Sequence, residues 1–108
     1  MAPKKDLIKG TLRLIVLKLL AENTRMYGYE ITQRVKELTN DEIELTFGAL
    51  YPTLHKLEAE KILVAKTVVI DNRARKYYSL NKEGVKTAKR EIAEYFTFTK
   101  SLNLVLKP

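Results

Sequence analysis

The sequence predicts a mainly α-helical domain that contains one β-hairpin and is followed by a further long helix. Three observations lead to this prediction. Before Ile62, three segments have helical composition or apolar residues spaced three and four apart. Two stretches rich in Val, Ile and Tyr then flank a turn sequence. A last segment with helical spacing closes the chain.

Length and charge narrow the class of protein. The chain has 108 residues, with 20 Lys and Arg against 13 Asp and Glu, and a net charge of +7. This length allows one domain and one extra helix, which excludes a two-domain enzyme. The absence of cysteine excludes disulfides, thiolate zinc sites and cysteine nucleophiles, and it is consistent with the cytosol. Excess positive charge is typical of nucleic-acid binding, of binding to anionic membrane surfaces, or of solubility alone.

The beginning of the chain predicts neither a signal peptide nor a membrane anchor. Residues 1–6 are polar, and Arg13 and Lys18 interrupt the apolar run that follows. That run is therefore shorter than the roughly 20 apolar residues of a membrane-spanning helix. We expect a cytoplasmic protein without a membrane partner.

The first predicted helix covers residues 10–22, where Leu, Ala, Lys and Glu dominate and no helix breaker occurs. Its apolar residues cover most of the circumference, which is typical of a helix buried on more than one side. A domain this small cannot easily surround a helix. A second copy of the chain is therefore a candidate cover.

Two further helices are expected before the hairpin. Residues 23–26 form a connection, and Ile31, Val35 and Leu38 give Tyr29–Leu38 an apolar stripe. The third helix is predicted over Phe47–Lys61, with Pro52 causing an irregularity in its first turns. Its inward stripe is expected to contain Phe47, Leu50, Leu54 and Leu57.

A change in the spacing of apolar residues along the chain predicts the hairpin and then the last helix. Ile62–Ile70 and Lys76–Leu80 are predicted strands, with residues 71–74 as the turn and a cationic tip. Asn81 is a predicted N-cap of a helix that runs toward Leu106, about 35 Å long at 1.5 Å per residue. Such a helix needs a partner.

This order of elements matches a winged helix-turn-helix domain, in which the third helix enters a major groove and the hairpin wing lies against the DNA backbone. Small and hydroxyl-bearing side chains with one cation suit close approach to base edges. The alternative is that this side of the third helix only faces solvent. On the third helix, the outward residues are Ala49, Pro52, Thr53 and Lys56, with Tyr51 and His55 on the flank.

Three stretches of the chain resemble the PadR-type transcriptional regulators: Tyr27–Ile31, Gly48–Glu58, and Arg75–Leu80 with Gly84 beyond it. The resemblance covers about residues 7–90. It implies a winged-helix DNA-binding regulator, usually a repressor, that dimerises through its C-terminal helix. With one such helix, the chain is similar to the short branch, some members of which bind planar lipophilic compounds between subunits.

Two residues depart from the family pattern. Ala49 stands where the family more often has Thr or Ser, which removes one polar contact. Lys61 stands where a glycine commonly follows the Leu-Glu pair. Both changes bear on DNA preference.

The sequence therefore divides into a winged helix-turn-helix DNA-binding domain over residues 1–81 and a dimerisation helix over residues 82–108. Tyr51 either hydrogen-bonds a phosphate, as the resemblance implies, or packs against helix two. One of Tyr77 and Tyr78 should face the core and the other solvent or DNA. The candidate DNA contacts are Tyr29, Ala49, Tyr51, Pro52, Thr53, His55, Lys56, Arg73, Arg75, Lys76 and Tyr78.

Aromatic residues of the last helix suit a dimer core more than a ligand pocket, although Tyr95 and Phe96 are kept as ligand candidates. A planar hydrophobic effector is the corresponding small-molecule partner. The candidate dimer interface comprises Leu12, Ile15, Leu19, Val85, Ile92, Tyr95, Phe96 and Leu102.

The resulting prediction is a homodimeric, sequence-specific DNA-binding regulator, a repressor on a palindromic operator of double-stranded DNA that a small ligand releases. The alternative is a small-molecule sensor whose main site is an aromatic-lined cavity at the dimer interface. An enzyme is not expected, because one histidine, no cysteine and no recognisable carboxylate pair leave little catalytic chemistry. We therefore predict no catalytic residue, no metal and no cofactor.

Overall fold

Seven helices and strands follow one another in the computed structural model, which describes residues 3–108. Met1 and Ala2, where the predicted polar N-terminus begins, lie outside the described residues. The elements are α1 (Pro3–Glu22), β1 (Met26–Tyr27), α2 (Gly28–Leu38), α3 (Phe47–Ala59), β2 (Leu63–Ile70), β3 (Arg73–Leu80) and α4 (Lys82–Leu106).

Helix α1 begins before the predicted residue 10 and forms the centre of the core. Val16 and Leu17 are fully buried, because α3, α4 and β3 pack around this helix within one chain. Leu12 and Leu19, predicted to lie between two chains, are 2% and 3% exposed and belong to the core of the single chain. The prediction that Leu12 lies between two chains is therefore wrong, whereas Leu19 also borders an open groove between α1, α2 and α4. Ile15 is only half-buried and lies at the edge of the core.

Helices α2 and α3 form the predicted helix-turn-helix, and each begins with a hydrogen bond between its N-cap residue and a residue of its first turn. The Tyr27 N–H donates to Glu30 Oε1 at 3.0 Å, and Thr46 Oγ1 accepts from the Ala49 N–H at 3.2 Å. Helix α3 runs without a break through Pro52. These N-terminal contacts fix where each helix starts.

Helix α3 ends at Ala59, two residues before the predicted end at Lys61. Lys61 has a φ of 64°, in the left-handed region. Its N–H donates to Glu58 O at 2.9 Å, and the Ile62 N–H donates to Leu57 O at 3.3 Å. This is a Schellman motif, in which glycine is the usual left-handed residue. Lys61 therefore adopts a backbone conformation that glycine would accept without strain.

The sheet has the order β1-β3-β2, and all its pairs are antiparallel. The turn contains only Asp71 and Asn72, with φ values of 51° and 62°, as a two-residue type I′ turn requires. The predicted four-residue turn is wrong, because Arg73 and Ala74 pair with Ile70 and Val69 in β3. Strand β1 was not predicted, since a two-residue strand shows no alternation.

Both wing tyrosines are buried, so the prediction that one of them faces solvent or DNA is wrong. Tyr78 is 1% exposed and lies in the core, where it pairs with Met26 of β1. Tyr77 is 9% exposed, because Arg25 and Tyr27 cover its ring on the opposite face of the sheet. Strand β3 therefore has side chains packed on both of its faces.

Helix α4 begins where predicted, since Asn81 Oδ1 accepts from the Gly84 N–H at 2.8 Å. Gly84 lies directly against the Ile62 carbonyl, where a Cβ would clash. The first half of α4 packs on α1, whereas the last residues of α4, Leu104 to Leu106, are at least 68% exposed. None of the helices within residues 3–108 combines the length and hydropathy needed to span a bilayer.

Candidate nucleic-acid interface

Helix α3 has one buried side and one exposed side. Leu50, Leu54 and Leu57 are fully buried, as predicted. Among the predicted contacts, Pro52, His55 and Lys56 are exposed, whereas Ala49 and Thr53 are half-buried. The Thr53 hydroxyl donates to Ala49 O at 3.3 Å, so its oxygen remains free to accept a hydrogen bond. The exposed side has the small, sparsely charged character of a groove-reading helix.

Lys56 is the one cation on α3. Its ammonium forms no ion pair with any of the described residues, although Glu60 lies one turn further along the chain. An unpaired exposed cation can neutralise a phosphate without first breaking a salt bridge.

Three rings form an aromatic ridge along the flank of α3, at positions four residues apart. The ring centroids of Phe47 and Tyr51 are 5.8 Å apart, and those of Tyr51 and His55 are 6.2 Å apart. Phe47 is 47% exposed, so its predicted place in the inward stripe is wrong. As the first residue of α3, it lies beyond the end of the core. Sequence reasoning therefore missed Phe47 as an accessible residue of this helix.

Tyr51 connects α3 to the N-terminus of α2. Its hydroxyl oxygen lies where a Cβ on Gly28 would approach it to 2.5 Å. Packing against helix two, one of the two alternatives for Tyr51, is therefore present. The same contact places the hydroxyl beside the first residues of α2, where the Glu30 carboxylate accepts from the Tyr27 N–H.

Arginine and tyrosine side chains cover the outer face of β1 and β3; we call Arg25, Tyr27, Tyr29, Arg75 and Tyr77 the arginine–tyrosine cluster. The Arg25 guanidinium lies 4.2 Å from the Tyr77 ring centroid, and the Arg75 guanidinium lies 4.7 Å from that of Tyr27. The Tyr27 ring is 5.4 Å from Tyr77 and 6.5 Å from Tyr29. Cation–π contacts hold both guanidinium groups in place while they keep their charge.

Arg25 is a member of this cluster that sequence reasoning missed. It precedes β1, and it meets the Tyr77 ring because β1 pairs with β3. The distance between these residues along the chain gives no signal of the contact. Only the register of Tyr27 with Tyr77 could have revealed it.

The cations of the wing occupy both faces of the hairpin. Arg73 and Lys76 are exposed, and Arg75 is half-buried beneath its contact with Tyr27. Lys76 Nζ lies 5.6 Å from the centroid of the Tyr78 ring. The three predicted wing cations are thus near the surface, in the part of the hairpin that extends from the core.

Tyr78 does not join these surface residues, and its predicted DNA contact is corrected. Its hydroxyl is buried and has no hydrogen-bond partner among the described residues. Burial raises the pKa of the Tyr78 hydroxyl, and the charges of Glu58 and Tyr51 add to that rise. A phosphate cannot reach this group without displacing the core.

A largely apolar groove of about 470 Å³ lies between α1, α2 and α4. We call it the α1–α4 groove. Tyr95 and Phe96, the predicted ligand contacts, border it and are 37% and 62% exposed. The groove also brings together Leu14, Ile15, Leu19, Val35, Leu38, Ile43 and Ile92.

Within residues 3–108, no three His, Asp or Glu side chains lie close enough together to hold a metal ion. The single histidine, His55, is exposed and lies beside Tyr51 in the aromatic ridge.

Comparisons with known proteins agree with this architecture. The model of the transcriptional regulator PadR-like family matches residues 16–90. The chain is 36% identical over 80 residues to the transcriptional regulator Rv3488 of Mycobacterium tuberculosis, covering 74% of this chain and 71% of that protein. It is 35% identical over 82 residues to an uncharacterized protein of Lysinibacillus sphaericus, covering 75% of this chain and 74% of that protein.

Two solved structures show the same fold over nearly the whole chain. A transcriptional regulator from Clostridium thermocellum has a TM-score of 0.85 at 28% identity, covering 94% of this chain and 99% of that one. A PadR family regulator from Eggerthella lenta has a TM-score of 0.79 at 27% identity, covering 94% and 87%. The predicted fold class is confirmed.

Proposed function

This chain belongs to the PadR-like family of transcriptional regulators, and we propose that it acts as a homodimeric repressor on a palindromic DNA operator. Membership confirms the family resemblance, and it confirms that the chain is a regulator and not an enzyme. DNA is therefore its macromolecular ligand. What we propose beyond family membership is the dimer, the palindromic symmetry of the operator and the role as a repressor.

The proposed DNA-binding surface is supported by the contacts that the wing and α3, the proposed recognition helix, make with residues at the start of α2. Arg75 of the wing lies over Tyr27, the residue that precedes α2. Tyr51 of α3 lies against Gly28, the first residue of α2. The wing and α3 therefore both contact residues at the start of α2, and the Arg75 guanidinium there favours a phosphate.

Roles for the remaining side chains follow from their chemistry and exposure. Small and polar side chains at the surface of α3 suit base edges, whereas exposed cations and hydroxyls suit phosphates. We assign Ala49, Pro52, Thr53 and His55 to the bases. We assign Tyr29, Tyr51, Lys56, Arg73, Arg75 and Lys76 to the phosphates, and Arg25 joins them.

Helix α4 supports a dimer, because its apolar residues continue past the end of its own domain. Ala88 and Ile92 lie against α1 of the same chain, whereas Leu102 and Leu106 further along are 38% and 68% exposed. In a two-fold dimer, this overhanging part of α4 would cover the α1–α4 groove of the partner. We therefore propose that residues 82–108 form the dimerisation helix and residues 1–81 the DNA-binding domain, with Ile15, Val85, Ile92, Tyr95, Phe96 and Leu102 in the interface.

Selection of bound duplexes from a random pool tests this function. We expect enriched sequences with two inverted half-sites whose centres are about one helical turn, or a multiple of it, apart. A single unpaired half-site would contradict the dimeric mode. No enrichment over unselected duplex would contradict operator recognition.

The α1–α4 groove favours a second role, the release of DNA by a small hydrophobic molecule. A volume of about 470 Å³ lies within the range of ligand pockets, and the groove lining is mainly apolar. Calorimetry with planar aromatic compounds, comparing the native chain with Phe96→Ala, tests this role. Heat that Phe96→Ala abolishes supports it, whereas no heat with either protein argues for a regulator without an effector.

A further inference from the structure

One arginine joins three helices. Arg13 of α1 binds Glu91 of α4 in a bidentate pair, with its Nε and Nη2 at 2.8 and 2.9 Å from the two carboxylate oxygens. The same guanidinium binds both carboxylate oxygens of Glu60, at the end of α3, through Nη1 and Nη2 at 2.7 and 2.9 Å. We call these three side chains the Arg13 joint.

Further contacts meet at the same place. The Asn81 side chain, just before α4, donates to Lys61 O at 2.6 Å, and the Asn81 N–H donates to Ile62 O at 3.2 Å. Gly84 lies against that same Ile62 carbonyl. The start of α4 is thus attached to the segment that immediately follows the recognition helix, and Arg13 closes the joint from α1.

The charges of the joint keep it formed near neutral pH. Arg13 lowers the pKa of both glutamates, mainly through its hydrogen bonds, so both are ionised there. Arg90 lies 3.7 Å from Glu91, and the charge of Lys56 also acts on Glu60. Two carboxylates bound to one planar guanidinium allow far less rotation than an apolar contact, because bidentate hydrogen bonds are directional.

The length of α4 makes its direction important. Glu91 lies 15 residues before the end of α4, a distance of about 22 Å, so a rotation of about 10° at the joint would move that end by about 4 Å. That displacement is slightly more than one base-pair step of about 3.4 Å. In a dimer formed through α4, small rotations would therefore change the distance between the two recognition helices.

We propose that Arg13 is a positioning residue that sets the separation of the two DNA half-sites by fixing α4 against the end of α3. The proposal rests on the proposed dimeric function. Arg13 itself need not touch DNA. Apolar packing of Ala88 and Ile92 holds α4 on the domain, while the Arg13 joint fixes its angle.

A series of operators with altered half-site spacing tests this role. The duplexes carry the selected half-sites at the preferred separation and at one and two base pairs more or less. Affinities are measured for the native protein, Arg13→Met, Glu91→Gln and Arg34→Met. The last variant is the matched control, because Arg34 pairs with Glu37 within α2 at 3.3 Å and joins no two helices.

The native protein and Arg34→Met should prefer the best spacing by about tenfold or more, which corresponds to about 1.4 kcal/mol. In Arg13→Met and Glu91→Gln this ratio should fall to about threefold or less, with an unchanged slope of affinity against salt. A merely structural role would lower affinity for all spacings equally and leave the ratio intact.

An unchanged spacing ratio in Arg13→Met would overturn the proposal, and so would a uniform loss of affinity. Far-UV circular dichroism and the dimer mass establish that each variant is folded and assembled. Should the native protein itself bind no spacing in preference to random duplex, the proposed function would fail instead. The two failures are therefore distinguishable.

Discussion

The Tyr51 hydroxyl lies against Gly28, so that the recognition helix and the start of α2 meet without room for a single methyl group between them. A Cβ on Gly28 would be 2.5 Å from the hydroxyl oxygen and 2.9 Å from the ring carbon that bears it. Gly28 does not have a positive φ. Glycine is required here by the close approach of Tyr51 and not by the backbone conformation.

Gly28→Ala should therefore move Tyr51 and destabilise the domain by about 1–3 kcal/mol, the usual cost of overpacking. Chemical denaturation measures the change. Adding Tyr51→Phe removes the closest atom, so the double variant should recover part of the loss. If Gly28→Ala is as stable as the native protein, the close contact has no energetic consequence.

Removing Lys56 or Arg75 should weaken duplex binding and reduce its dependence on salt. Each lost phosphate contact lowers the slope of log affinity against log salt by about 0.9. Fluorescence anisotropy at several salt concentrations gives the slope for Lys56→Ala and Arg75→Ala. Lys100→Ala, on the exposed second half of α4, removes the same charge and should leave the slope unchanged. Equal slopes in all three variants would contradict the assignment.

Lys61→Gly should stabilise the protein by about 1 kcal/mol, because glycine accepts the left-handed conformation that costs other residues about 1–2 kcal/mol. Lys61 has a φ of 64° in the Schellman motif after α3. Thermal and chemical unfolding provide the measurement. Lys61→Ala removes the same charge but keeps a Cβ, so it should bring no comparable gain; equal stabilisation by both would point to charge and not to conformation.

Acidification should weaken the Arg13 joint. Arg13 lowers the pKa of Glu60 and Glu91 below the ordinary value of 4.5 in the folded chain. Their contribution to stability is therefore complete above pH 4.5 and is lost as the pH falls through the lowered values. The difference in free energy of unfolding between the native protein and Arg13→Met should shrink from pH 7 to pH 3. A difference that does not change with pH would contradict this linkage.

The helices and the hairpin could be predicted because each of these elements is long enough for its residue spacing to be recognised in the sequence. Ile31 and Val35 mark the buried side of α2, and Asn81 marks the start of α4. Residue spacing failed for Phe47, since a helical wheel assigns a face but does not show where the core ends. Residues on one side of α3 therefore point in the same direction without being equally buried.

Other features depend on contacts between distant parts of the chain. Tyr77 is buried on the outer face of the sheet because Arg25 and Tyr27 cover it, and alternation along β3 alone predicts exposure there. The Arg13 joint brings together three residues from α1, α3 and α4. Spacing along the sequence carries no signal of either arrangement, because both arise from tertiary packing.

The stoichiometry of the complex with the selected operator tests the central claim most directly. Sedimentation of the native protein with a duplex that contains one complete palindrome should give two chains per duplex, and halving the palindrome should sharply reduce affinity. One chain per duplex, with the same affinity for the half-palindrome, would contradict a dimer that reads DNA through two copies of α3.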